Sequence, residues 1–233
     1  MFDGRFGFYK AHVQSEEKFA FGSVVDRLGQ HWETLSISPK VYPCGHYNQP
    51  LVDAALALRR EHKLSAEQIL EIRCFLPGYV VPLVAEPAAE KRRPNTSFHG
   101  RFSLQHSIAE SLVHGTLDKS SFADANLKDP RFNDIADRVQ IVVDPLATDR
   151  RQLGGKVEMT LADGRQVSAS VEHMTGTPQN PMTTDELINK FKSNADGILT
   201  ESAIDDLAGA IMNLDRLDDV SALPLHGARR AHQ

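Results

Sequence analysis

The sequence has 233 residues, 41% of them hydrophobic, enough to bury a core as one large domain or two small ones. Its net charge of -5 and pI near 6.0 oppose a nucleic-acid surface or an anionic membrane, since either would be repelled unless a local basic patch prevailed. The basic runs Lys91-Arg92-Arg93 and Arg229-Arg230 are short and sit among Pro, Gly and Ala, so they are expected to be a solvated loop and a solvated tail.

No apolar run approaches the roughly 20 residues that span a bilayer, and Asp3 stands where a signal peptide would be basic and apolar; a cytoplasmic protein is expected. Two cysteines, Cys44 and Cys74, are too few for a disulfide framework or for an iron–sulfur cluster held by three or four thiolates. The histidines show no His-x-x-x-His spacing and the cysteines no Cys-x-x-Cys spacing, so zinc is disfavoured and no cofactor is implied. Gly154-Gly155 lacks the lysine of a phosphate loop and is expected to be a turn.

In chain order, Met1 to about Gly29 mixes Phe2, Phe6, Phe8 and Tyr9 with polar residues, suggesting one or two short helices. Their apolar surface either belongs to the end of something larger or folds back on the rest of the chain. Leu35 and Ile37 alternate with polar residues over Thr34–Ser38, which predicts a short strand ending at Pro39. The polar and aromatic loop Lys40-Val41-Tyr42-Pro43-Cys44-Gly45-His46-Tyr47-Asn48 then leads into a helix with Pro50 in its first turn. Side chains of that loop are therefore delivered to a helix N-terminus, where free N–H groups favour anions.

Ser65 and Gln68 form a capping box before a strand carrying Ile69, Ile72, Cys74 and Leu76, stopped by Pro77-Gly78. A charged connection is expected over 85–100. Ser103 caps a helix whose Leu104, Ile108 and Leu112 share a face, and Gly115 closes it. A short helix over Phe132–Asp137 precedes strands Val139–Val143, Lys156–Leu161 and Gln166–Val171, the last two joined through Asp163-Gly164, a hairpin signal. Thr183 with Glu186 caps a helix containing Leu187 and Phe191, and Thr200 starts another with Ile204, Leu207, Ala208 and Ile211 on one stripe. Pro224 to Gln233 is expected to be a disordered tail. The pattern is a helical start, a central α+β unit of about four or five strands, and a helical end.

Three segments together resemble the C-terminal half of MmgE/PrpD proteins, the group with 2-methylcitrate dehydratase and cis-aconitate decarboxylase. They are Lys40-Val41-Tyr42-Pro43-Cys44 with the helix containing Asp53-Ala54-Ala55; Phe102-Ser103-Leu104-Gln105-His106-Ser107-Ile108-Ala109; and the stretch from Asp163-Gly164 through Gly176-Thr177-Pro178-Gln179-Asn180-Pro181 to Lys190-Phe191. The resemblance implies an α+β lid domain at 35–178, with an antiparallel sheet of about four strands flanked by helices. Residues 1–34 would be a remnant of a helical domain, mostly absent from the chain, that 179–233 completes with C-terminal helices and the tail.

By the same resemblance the chain is a segment of a lyase acting on a small di- or tricarboxylate without an iron–sulfur cluster, as a homodimer or with a separately encoded N-terminal half. That half carries an aspartate and histidines of the family's active site. The alternative is a non-catalytic remnant, a carboxylate-binding or oligomerisation module. Lys40 aligns with the family's pocket lysine and is expected to anchor a substrate carboxylate; otherwise it is a solvated surface lysine. His46 is the local candidate for proton transfer, although the family histidine often lies one position earlier, at Gly45. His106 stands where the family often has an aromatic hydroxyl, at the edge of an apolar stripe, and is expected either to move a proton or to be a half-buried histidine bonded to a carbonyl. Tyr42, Cys44 and Ser103 are candidates to line the pocket, Cys44 equally as a buried structural thiol.

Overall fold

A computed structural model describes Gly7, Phe8, His12, Gly22 and residues 25–145 and 154–223. These fall into two compact units, one up to Ile37 and one from Ser38 onward. In the first, Phe8 is 53% exposed and its ring stacks on His12 with centroids 4.3 Å apart. Phe2, Phe6 and Tyr9, Arg229-Arg230 and the tail from Pro224 lie outside the described residues. The strand expected at Thr34–Ser38 is a 3-10 turn, Glu33–Ser36, with Leu35 79% and Ile37 64% exposed. The alternation had no strand to pair with, and alternation alone does not make a strand.

The second unit is built on a four-stranded sheet: β1 (Ile69–Leu76), β2 (Val139–Val143), β3 (Gly155–Leu161) and β4 (Gln166–Val171), in the order β2-β1-β3-β4. The pairings β1–β3 and β3–β4 are antiparallel, as expected, but β1–β2 is parallel, so the sheet is mixed. The physical reason is the long helical connection from β1 to β2, which returns the chain to the end where β1 began. A register shift between Ile69 and Glu71 inserts Leu70 as an extra, exposed residue. It keeps Ile69 on the buried face with Ile72, Cys74 and Leu76, which explains the uneven spacing of these apolar positions.

Helix α1 (Gln49–Glu61) follows the Lys40–Asn48 loop and packs on β3 and β4. The connection expected at 85–100 is instead largely helical, in α2 (Val81–Val84), α3 (Ala88–Arg92) and α4 (Ser97–Arg101). Lys91, expected in a solvated loop, is only 6% exposed: its ammonium donates to Leu83 O at 3.0 Å and Phe102 O at 2.8 Å, carbonyls left open at helix ends. Helix α5 (Leu104–His114) is followed by α6 (Asp124–Leu127) and α7 (Pro130–Asp137), then after the sheet by α8 (Thr184–Ala195) and α9 (Glu201–Met212).

Every residue of α5 from Leu104 to Leu112 is buried, the polar ones included. Part of its polar set is satisfied within the core: Ser107 and Ser111 hydroxyls donate to carbonyls four residues back, Gln105 donates to Ala85 O, and Asn48 donates to Ser107 Oγ. Gly115, left-handed at φ 77°, ends the helix as expected. The other sheet face carries Arg73 and Lys156, each 5.0 Å from the Phe75 ring, with Glu158 accepting from both. Among the described residues no helix is long and apolar enough to cross a membrane.

Candidate functional site

The Lys40–Asn48 loop ends in a 3-10 turn, His46–Asn48, that runs straight into α1. Pro50, in the first turn of α1, lacks an N–H to leave unsatisfied, so the sequence starts the helix here without a side-chain cap. Groups from α1 and from more distant elements hold the loop. Gln49 folds back, accepting from Tyr42 N at 3.0 Å and donating to Tyr42 O at 2.9 Å and Cys44 Sγ at 3.3 Å. Asp53, one turn into α1, accepts from Tyr42 Oη at 2.8 Å and from Thr175 N at 2.9 Å. Arg101 O receives Gly45 N at 2.6 Å. Lys190, on α8, donates its ammonium to Val41 O at 2.9 Å.

Gly176 completes the frame. Its φ of 96° suits glycine, and an added Cβ would stand 2.4 Å from Pro39 O, so the chain after β4 presses directly on the residue before Lys40. The family-like run from Gly176 to Lys190 therefore braces the loop from two sides.

Lys40 is exposed and, among the described residues, makes no hydrogen bond or ion pair of its own. It is nonetheless close enough for its charge to act on both Cys44 and His46. His46 is half-buried and held below the usual histidine range, first by burial and second by the Lys40 charge, both of which favour the neutral imidazole that can accept a proton. Cys44 is 3% exposed and burial pushes its thiol up to about 12, which removes the thiolate and leaves a small apolar group. Tyr42 is pushed far up by burial and by the Asp53 carboxylate, so its hydroxyl is a fixed hydrogen-bond donor.

Ser103 and His106 sit elsewhere. Ser103 is fully buried, donates to Lys91 O and accepts from His106 N at 3.1 Å, so its hydroxyl is committed to capping α5. His106, expected to be half-buried at the edge of a stripe, is 1% exposed, between the rings of Phe122 at 5.9 Å and Phe132 at 6.1 Å. Burial holds it down to about 4, against the raising effect of a backbone hydrogen bond at Ser121. Its Nε2 has no hydrogen-bond partner and stands 3.8 Å from Glu110 Oε1. Among the described residues it has no hydrogen bond, ion pair or ring contact with Lys40 or His46.

The structure thus gathers Lys40, Tyr42, Cys44 and His46 into one loop and leaves Ser103 as the cap, and His106 in the first turn, of the buried helix α5. Two residues given no role from sequence, Asp53 and Lys190, shape that loop. Lys190 is separated from Val41 by 149 positions and no local pattern announces the contact. Among the described residues, no group of three or more His, Cys, Asp or Glu is placed to hold a metal ion.

The chain is 26% identical to a cis-aconitate decarboxylase of Aspergillus terreus, an alignment covering 93% of this chain and 46% of that protein. It is 23% identical to cis-aconitate decarboxylase of Mus musculus, over 94% of this chain and 44% of the relative. A mitochondrial 2-methylcitrate dehydratase of Yarrowia lipolytica is 23% identical over 75% of this chain and 36% of its own length. The chain therefore spans about half the length, or less, of these curated relatives. The MmgE/PrpD C-terminal domain matches residues 42–215, from the braced loop through α9, and the chain belongs to that family.

Proposed function

We propose that this chain is the C-terminal portion of a carboxylate lyase that receives a small di- or tricarboxylate against the Lys40–His46 loop. Lys40 anchors a substrate carboxylate, and His46 accepts or returns a proton at the adjacent carbon. Removing a proton or a carboxyl group there builds negative charge, which an ammonium offsets and a neutral imidazole can manage at pH 7. The observation that carries this reading is local: a lysine with no ion pair among the described residues shares one loop with a half-buried histidine, and the Lys40 charge, after burial, favours the neutral form of His46. The names of the relatives, cis-aconitate decarboxylase and 2-methylcitrate dehydratase, supply the substrate class.

The resemblance assigns further catalytic groups to an N-terminal helical half, so turnover is expected when the chain is combined with such a half. The test is to assay the purified chain for decarboxylation of cis-aconitate and dehydration of 2-methylcitrate, with and without a co-expressed helical half. Lys40→Met in the active form should lower kcat/KM by about 100-fold or more. Unchanged turnover and affinity would remove Lys40 from the site, and a stable complex without activity would favour a binding module.

A further inference from the structure

Helix α8 has no fully buried residue, yet one of its side chains reaches into the loop. Lys190 is half-buried, and its ammonium meets Val41 O, the carbonyl one residue after Lys40. An ammonium has three donors, and this contact uses one. Among the described residues the other two have no acceptor, and no carboxylate comes within ion-pair distance. Asp53, the acid of α1 that holds the loop, has both oxygens engaged, one by Tyr42 and one by Thr175.

A half-buried ammonium with two donors left open holds an anion more strongly than a fully hydrated one does. Burial indeed holds Lys190 below the usual lysine range. Lys40 and Lys190 both lie within electrostatic reach of Cys44, the buried thiol of the loop. The two ammonium groups approach the loop from different elements, one from the loop itself and one from α8. A single carboxylate needs one such group; a molecule with two or three carboxylates needs them spaced apart.

We propose that Lys190 is a second cationic anchor, gripping a further carboxylate of the di- or tricarboxylate whose first carboxylate rests on Lys40. This assignment rests on the reading of the loop as the substrate site, and it would make Lys190 a residue that selects polycarboxylates over monocarboxylates. Lys190→Arg keeps the charge, whereas Lys190→Met keeps the length and removes it.

Binding of cis-aconitate, tricarballylate and propionate to the full chain is measured by titration calorimetry at pH 7 and low salt. The proteins are the parent, Lys190→Met, Lys190→Arg and Lys40→Met, each first checked for an unchanged circular dichroism spectrum and melting temperature. Lys190→Met should weaken both tricarboxylates about tenfold or more while moving propionate less than about twofold, and Lys190→Arg should recover most of the loss. Equal loss for all three ligands would mean that Lys190 only positions the loop and would overturn the anchor. A full effect of Lys40→Met with none from Lys190→Met overturns it as well, leaving the Lys40 reading intact. No binding by the parent, or binding indifferent to Lys40→Met, sinks both.

Discussion

Glu110 offers the sharpest test of the packing around α5. Its side chain is fully buried and neither carboxylate oxygen has a hydrogen-bond partner, although His114 Nδ1 comes within 3.1 Å. Burial pushes its carboxyl up to about 8; Asp118 and Asp129 add to this, and Ser121 and Asn126 oppose it. Arg131 also feels its charge, and His106 Nε2 lies 3.8 Å away. The folded state therefore keeps a proton that the unfolded chain releases near pH 4.5. A raised carboxyl contributes stability that is fully present below its unfolded value and is lost as pH climbs through its folded value. The loss runs at about 1.4 kcal/mol per pH unit, or ~4 kcal/mol between pH 5 and 8. His106 acts in the opposite sense, since its imidazole, held down to about 4, costs the fold stability only as pH falls below 6.5. Glu110→Gln removes the first titration and leaves the second, so the difference between parent and variant isolates it. Urea denaturation at half-unit steps from pH 5 to 8.5 should show the variant gaining on the parent by several kcal/mol toward high pH. A difference that stays within about 1 kcal/mol across that range would mean that Glu110 ionises normally and that water or a moving side chain reaches it.

Cys44 should resist a water-soluble disulfide reagent at pH 7.4 in the folded protein and react fully in denaturant, because it is both buried and protonated. Gly176→Ala should cost about 2 kcal/mol or more, read as a lower urea midpoint, since it combines positive φ with a collision at Pro39 O. Carboxylate affinity should fall with it, because the residue displaced adjoins Lys40. Leu58→Ala, at a fully buried position of α1, should cost roughly 2–5 kcal/mol in the same assay, whereas the exposed Leu35→Ala should change it by less than about 0.5 kcal/mol.

These contrasts follow what the sequence could and could not reveal. Elements whose identity rests on local chemistry were legible: the Ser65 and Thr183 capping boxes, the Ser103 and Thr200 caps, Gly115 as helix stop and the β3–β4 hairpin stand where their residues place them. Partnership at a distance was not legible. Leu35 and Ile37 alternate like a strand but have no strand partner among the described residues, and the direction of β2 against β1 depends on a long crossover of several helices whose arrangement no local pattern records. Lys91 looked like a surface charge because its sequence neighbours are charged; only the fold shows two open carbonyls waiting for it.

The loop at Lys40 divides in the same way. Its own residues, from Lys40 to His46, are contiguous and carry the family likeness, so they could be named from sequence, whereas what gives them shape comes from Asp53, Arg101, Gly176 and Lys190. His106, which the likeness put forward as a proton carrier, lies on a helix buried from Leu104 to Leu112, with its imidazole near Phe122, Phe132 and Glu110. His106 is enclosed by that interior, whereas His114, whose Nδ1 lies 3.1 Å from Glu110, has a side chain 36% exposed. An anion is met more readily where a cation reaches solvent, as Lys40 does in the loop between Pro39 and the first turn of α1, with Lys190 of α8 held against the next carbonyl.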